Sequence, residues 1–172
     1  MISYKERLPK IKTIMLDVDG VLTDNRIYMF NGEAVRSLHS KDGFILQLAM
    51  RKGFRIFIIT GGKSEELKER LLGNGATEVH LRAADKLKVY EDIVSRYNLD
   101  EEEIMYMGDD IPDIPVMRRV GFSCCPQDAS NDVKSLVHYQ SQLLGGHGCV
   151  REIIEQILRV QSKWNIEEDY HW

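Results

Sequence analysis

Acidic residues recur in this chain at spacings that can do chemistry. DVDG (17–20) carries two acids two positions apart at the end of an apolar run, and GDDIPD (108–113) carries three more after another such run. Between them lie Thr60-Gly61, directly after FRIFII, and Lys86, just beyond an Ala-Ala-Asp segment. Carboxylates brought within hydrogen-bonding range repel one another unless a cation sits among them. Mg²⁺ suits that role: it takes oxygen ligands, keeps several waters, and binds through one or two carboxylates plus a substrate phosphate. Lys86 by charge, and the Thr60-Gly61 turn by hydroxyl or backbone N–H donors, can then hold the remaining phosphoryl oxygens. A carboxylate can attack phosphorus to form an aspartyl phosphate, which splits one hard step into two easier ones. On an extended segment Asp17 and Asp19 point the same way, so one can attack while the other protonates the leaving alkoxide and later activates water. The pattern reads as phosphoryl transfer.

The elements that must position these residues are legible as alternating apolar patterns. IKTIMLDV (11–18), FRIFIIT (54–60), EVHLR (78–82), IMYMG (104–108) and GFSCC (121–125) are short β-rich runs, each ending in a loop. Helical periodicity fills 42–52, 64–73, 85–97, 113–120 and 130–138, and an amphipathic helix is expected over about 149–164. Strand alternating with helix predicts an α/β fold, a Rossmann-like parallel sheet with helices on both faces. RIYMF, Asn31-Gly32 and EAVRSL interrupt the alternation with the turn chemistry of a small β-hairpin. In open parallel sheets the ligand crevice lies beyond the carboxyl ends of the strands. That rule brings Asp17, Asp19, Thr60, Gly61, Lys86, Asp109 and Asp110 to one edge.

Taken singly, each of these residues has a plainer reading. Asp beside Gly commonly makes Asx turns, Ser64 after the glycines is a good helix N-cap, and a lone helical lysine is ordinarily solvated. GGHG (145–148) can be a linker, and Asp100 before three glutamates is a candidate cap. His39, His80 and His138 read as packed or surface residues. A phospho-receiver or interaction module would also cluster Asp, Thr and Lys on a parallel sheet, but it has no use for a second carboxylate such as Asp19 poised for proton transfer.

Bulk properties agree with a soluble enzyme. With 172 residues the length favours a single domain, and 43% hydrophobic with 29% charged residues excludes a disordered or collagen-like chain. A net charge of −4 argues against broad phosphate neutralisation on nucleic acid. No run approaches a membrane span, and MISYKERLPK lacks an apolar core for a secretory signal. Three cysteines, two of them adjacent, fit neither a disulfide framework nor a metal motif. A reducing, cytoplasmic setting is therefore expected, with the cysteines as small core hydrophobes.

DVDGVLTD (17–24), FIITG (57–61), Lys86 and GDDIPD (108–113) resemble, in order and spacing, the four motifs of the haloacid dehalogenase superfamily of phosphohydrolases. The resemblance implies that Asp17 is the nucleophile and Asp19 the acid/base. It further implies that Thr60, Gly61 and Lys86 bind phosphate, and that Asp17, the Asp19 backbone carbonyl and Asp109 ligate Mg²⁺. Asp110 and Asp113 become orienting residues. Larger members carry a cap domain that closes over the substrate. Here 43 positions separate Asp17 from Thr60 and 26 separate Thr60 from Lys86, which leaves no room for one. An uncapped site would leave its charges in bulk water, so something else must cover it.

Across about residues 8–164, the strings VLTDNRIYMFNGE, SLHSKDGFILQLAMRKGF, ITGGKSEELKERL and GGHGCVRE resemble the capless 3-deoxy-D-manno-octulosonate 8-phosphate (KDO 8-phosphate) phosphatases. That subfamily forms homotetramers in which the hairpin helps build the assembly and the GGxGxxRE segment reaches a neighbour's site. The resemblance implies a single phosphatase domain over 1–172, with 145–172 serving a neighbouring subunit. Gly145, Gly146, Gly148 and Arg151 would then bind substrate, with Arg151 facing an anionic sugar acid. The implied reaction releases KDO and phosphate for lipopolysaccharide biosynthesis. One position departs from the pattern: Gly62 stands where many KDO 8-phosphate enzymes carry Arg and some nine-carbon enzymes an acid. A nine-carbon KDN or N-acylneuraminate 9-phosphate is accordingly the alternative substrate.

Overall fold

The computed structural model describes residues 3–165, and the polar tail NIEEDYHW expected over 165–172 lies outside them but for its first residue. Strands β1 (Thr13–Leu16), β4 (Arg55–Ile59), β5 (Glu78–His80), β6 (Ile104–Met107), β7 (Phe122–Cys125) and β8 (Tyr139–Gln140) form one sheet. Their spatial order is β5-β4-β1-β6-β7-β8, and every pairing is parallel. The expected hairpin is present as β2 (Tyr28–Phe30) and β3 (Glu33–Val35), antiparallel across Asn31-Gly32. Both turn residues have positive φ, 50° and 82°, as that turn chemistry requires. The helices are α1 (Ser40–Arg51), α2 (Glu65–Gly73), α3 (Lys86–Tyr97), α4 (Ile114–Met117), α5 (Asn131–Lys134) and α6 (Cys149–Val160). Among the described residues no helix is long and apolar enough to cross a membrane.

The central strands are buried on both faces because alternate side chains feed two separate cores. Ile14, Leu16, Ile56, Ile58, Met105 and Met107 join one core with Leu46, Ile153, Ile154 and Ile157. Met15, Phe57, Ile59, Ile104 and Tyr106 join the other with Tyr90, Ile93 and Val116. A fully buried Ile or Phe contributes about 1.5–3 kcal/mol relative to exposure, so strand apolarity alone orders this sheet. Cys124, Cys125 and Cys149 are free and buried, as small hydrophobes would be. Ser64 and Asp85 cap α2 and α3 by accepting from Leu67 N and Lys88 N, and Asp100 caps a 3₁₀ turn over Glu101–Glu103.

Four elements differ from the sequence expectation, one of them the helix expected over 130–138, which is a single turn, Asn131–Lys134. The helix expected over 113–120 is a 3₁₀ turn, Ile111–Asp113, followed by a single α-turn, with Pro112 and Pro115 each at the start of its piece. The last helix stops at Val160, and Ser162 then takes φ 55°. The sixth strand, only two residues long, was absent from the expectation because so short a run carries no period.

Glu78 docks the end of α3 onto the edge strand β5. It accepts from Arg96 at 2.7 and 2.8 Å, from the Tyr97 hydroxyl at 2.5 Å, and lies 2.7 Å from His80 Nε2. The Arg96 fork, helped by Tyr97 and His80 against a smaller burial effect, holds its carboxyl down to about 2. A depressed carboxyl stabilises the fold above its unfolded value near 4.5 and loses that contribution as pH falls toward 2. Glu78→Gln is expected to lower the melting temperature at pH 7 and to flatten its decline between pH 4.5 and 2, as thermal melts across that range would show.

Candidate active site

Four loops at the carboxyl edge of β1, β4, β5 and β6 surround a cavity of about 300 Å³. Its lining includes Asp17, Asp19, Thr60, Gly61, Lys86, Asp109, Asp110 and Asp113, so the crevice rule brought together the residues expected there. Asp17 follows β1 directly and its N–H donates to Met107 O at 3.0 Å, which extends the ladder past the strand. Thr60 is likewise fixed, donating to His80 O and accepting from Ala83 N. Gly62 N donates to Thr60 Oγ1 at 3.0 Å, which leaves the hydroxyl proton for an incoming oxygen.

The centre is a charge cluster. Lys86 Nζ, 7% exposed, sits 2.9 Å from Asp17 Oδ1 and 2.7 Å from Asp113 Oδ1. Asp113 also accepts from the Tyr106 hydroxyl at 2.5 Å and from the N–H groups of Asp109 and Asp110 at 3.1 and 3.3 Å. Burial alone would lower the Lys86 pKa, but the Asp17 and Asp113 carboxylates outweigh it and hold the ammonium above its ordinary value. Burial, then Asp113, raises Asp17 far above the carboxylate range against the pull of Lys86. Burial, then Asp17 and Asp113, pushes Asp109 up to about 8.

Oxygens of Asp17, Asp109 and Asp113 lie within 4.8 Å of one another. Three carboxylates against one ammonium leave two negative charges, the amount a divalent cation cancels. The donor set is all oxygen, which fits a hard ion such as Mg²⁺. Since Asp113 already takes four donors, Asp17 and Asp109 are the carboxylates left for it. Asn25, which sequence reasoning passed over, adds a 3.3 Å hydrogen bond to Asp109 Oδ2.

Asp19 departs from the expectation of two acids side by side on an extended segment. The chain turns immediately after Asp17: Val21, Leu22 and Thr23 all donate to Val18 O, and Gly20 adopts φ 83°. A side chain at Gly20 would overlap the Asp109 carboxylate, so only glycine allows the turn to close against GDD. Within this turn the Asp19 carboxylate meets Arg36, with Nε–Oδ1 2.6 Å and Nη2–Oδ2 3.2 Å. Arg36 carries no motif signal; an arginine leaving a hairpin toward an acidic loop is visible only in three dimensions.

The glycine-rich segment sits where the motif alone did not indicate. Gly146 N donates to Val21 O at 2.9 Å, Gly145 N to Asp128 at 2.9 Å, and any side chain on Gly145 would overlap the Gly20 carbonyl. These glycines thus buttress their own chain's 18–24 turn. Gly148 caps α6 at φ 98°. Arg151 is remote from its own cavity: its N–H donates to the buried Asp42, and its guanidinium pairs with Glu155 and lies over Phe44 and Trp164. It borders a separate recess of about 430 Å³ lined also by Lys41, Arg159, Glu152 and Glu155. Asp110 is exposed at the cavity rim. A Cβ at Gly62 would lie 3.2 Å from Thr60 Oγ1 and 3.9 Å from both Arg36 Nη2 and Asp19 Oδ2, so a larger residue there would reach into the rim.

Comparison with known proteins adds an independent line. Residues 71–153 match the haloacid dehalogenase-like hydrolase family. The chain is 34% identical over 159 residues to the Yersinia pestis 3-deoxy-D-manno-octulosonate 8-phosphate phosphatase KdsC, covering 92% of this chain and 85% of that protein. The crystal structure of the Yersinia pestis phosphatase superposes with a TM-score of 0.90 at 34% identity, over 93% of this chain and 87% of that one. The Moraxella catarrhalis phosphatase in complex with magnesium, phosphate and KDO superposes with a TM-score of 0.89 at 28% identity, over 92% of each chain.

Raised carboxyls stabilise the fold below their unfolded value near 3.8, and that contribution is lost as pH climbs through the folded values toward 8. In EDTA the melting temperature should therefore fall from pH 5 to 8.5. Millimolar Mg²⁺ should reverse the fall by more than about 4 °C at the alkaline end. Asp109→Asn should shrink both effects; an unchanged Mg²⁺ response in that variant would remove the ion from this cluster.

Proposed function

The chain belongs to the haloacid dehalogenase-like hydrolases, in the group of 3-deoxy-D-manno-octulosonate 8-phosphate phosphatases, and from that premise we propose that it hydrolyses KDO 8-phosphate to KDO and phosphate. The observation that carries the reaction type is the buried Asp17–Lys86–Asp113 group beside Asp109, with Thr60 and Asp19 on the same cavity. The chemistry of the substrate is supported by relatives that span most of the chain.

In this reading a carboxylate oxygen of Asp17 attacks phosphorus while the ester P–O bond breaks, and Asp19 gives its proton to the departing alkoxide. Water then attacks the aspartyl phosphate, Asp19 takes the proton, and the P–O bond to Asp17 breaks to restore the carboxylate. Lys86, Thr60 and the Gly61 turn hold the phosphoryl oxygens. Asp17, Asp109 and the Asp19 carbonyl would hold Mg²⁺, which would supply positive charge to the site. Asp113 orients Lys86 and the 109–110 backbone, and Asp110 shapes the rim.

Among the described residues no cap domain covers the site, and the hairpin offers a reason. Tyr28, Met29 and Phe30 are 51, 69 and 68% exposed, a contiguous apolar patch of the kind that marks an association surface. Four copies assembling through the hairpins would let the 145–172 segment of one subunit, Arg151 included, approach the next subunit's substrate. A cytoplasmic setting suits the three unpaired buried thiols.

Asp17→Asn should lose at least about a thousandfold in kcat on KDO 8-phosphate with its melting temperature retained, since the nucleophile is gone; wild-type turnover would reject covalent catalysis. In a kcat/KM panel, KDO 8-phosphate should exceed nine-carbon 9-phosphates by about tenfold or more, and the reverse order would reassign the substrate. Met29→Glu with Phe30→Glu should convert a tetramer to smaller species by light scattering, and a wild type already monomeric at micromolar concentration would remove the assembly.

A further inference from the structure

The two aspartates of DVDG draw on different cations. Lys86 serves Asp17 and Asp113, while Asp19 is met by Arg36, the residue that leaves β3. The pair is two-pointed, 2.6 and 3.2 Å, and the Arg36 side chain is only 13% exposed. Asp19 itself is 31% exposed, open on the cavity side. Its other contact is a 3.4 Å hydrogen bond from Thr23 Oγ1, a hydroxyl also within reach of Val18 O. The guanidinium fork is therefore the main restraint on where the Asp19 carboxylate points. Gly62 lies beside the arrangement: a Cβ there would sit 3.9 Å from both Arg36 Nη2 and Asp19 Oδ2.

We propose that Arg36 is a positioning residue for the reaction: it holds the Asp19 carboxyl group in the orientation needed to deliver a proton to the leaving oxygen, and does so from the hairpin rather than from the sheet. The inference rests on Asp19 acting as acid/base. Arg36 is not among the residues that line the cavity. Because Arg36 directly follows β3, the hairpin's placement sets the alignment of Asp19. Ordinary partly exposed ion pairs contribute little to stability, so the consequence of this one falls on proton transfer and on esters whose alkoxide cannot leave unprotonated.

The test compares first-turnover release of the leaving group, at saturating substrate and with Mg²⁺ present, for KDO 8-phosphate and p-nitrophenyl phosphate. The phenolate of the aryl ester departs without a proton. Arg36→Gln should slow release from the sugar phosphate by about tenfold or more, and from the aryl phosphate by no more than about twofold. Arg36→Lys, which keeps the charge but not the fork, should fall between and guards against misfolding in the first variant. Adding Arg36→Gln to Asp19→Asn should cost nothing further, because both act on one proton transfer. Equal losses on both substrates, a loss confined to KM, or additivity in the double variant would overturn the assignment. If Asp19→Asn itself fails to favour the aryl ester, the acid role falls and Arg36 with it. If Asp19→Asn favours the aryl ester and Arg36→Gln does not, only the Arg36 assignment falls.

Discussion

Unbalanced negative charge at the end of the sheet is the constraint from which the rest of this structure follows. Asp17, Asp109 and Asp113 are largely buried around one ammonium, an arrangement that costs free energy in the absence of a cation and favours one strongly when it is offered. Much of the surrounding polypeptide serves to keep those oxygens close despite their repulsion. Asp113 absorbs four donors, Tyr106 and two backbone amides among them, and so fixes the geometry of both Lys86 and the 109–110 peptide. The apolar strands on either side make this affordable, since Met15, Leu16 and Met107 leave the carboxylates no softer place to go.

Close backbone approach is the second requirement. The 18–24 turn is held from one side by the Asp109 loop and from the other by Gly145-Gly146, with glycine at the contact because any side chain would displace a carboxylate or a carbonyl. Asp42 extends the same scaffold: buried at the first turn of α1, it accepts from the Arg151 amide in the first turn of α6 and ties two helices beneath the turn. Burial raises its pKa in spite of that hydrogen bond. A carboxylate at a helix N-terminus is well placed electrostatically, and here it also couples α6 to α1.

How much of this was legible in the sequence depends on whether a residue's role is local. The strands other than β8, the Asn31-Gly32 hairpin and the caps at Ser64 and Asp100 follow from short-range pattern, and the structure has them. The convergence of Asp17, Thr60, Lys86 and Asp109 follows from one topological rule applied to strand ends. What the sequence left unread is set by contacts across the fold: Arg36 reaching Asp19, Asn25 reaching Asp109, and Gly145 lying against Gly20. Asp113 is intermediate, since its motif position pointed to an orienting role while its four partners came only from packing. Asp19 faces the cavity as expected, but from a turn rather than an extended segment, with three amides gathered on Val18 O.

The seam between Gly146 N and Val21 O carries a kinetic meaning. A local opening that releases α6 must break this bond and also the one from the Arg151 amide to Asp42, so the 145–151 segment cannot leave without removing a support of the 18–24 turn. The lifetime of the assembled catalytic loop would depend on a helix more than a hundred residues downstream of it.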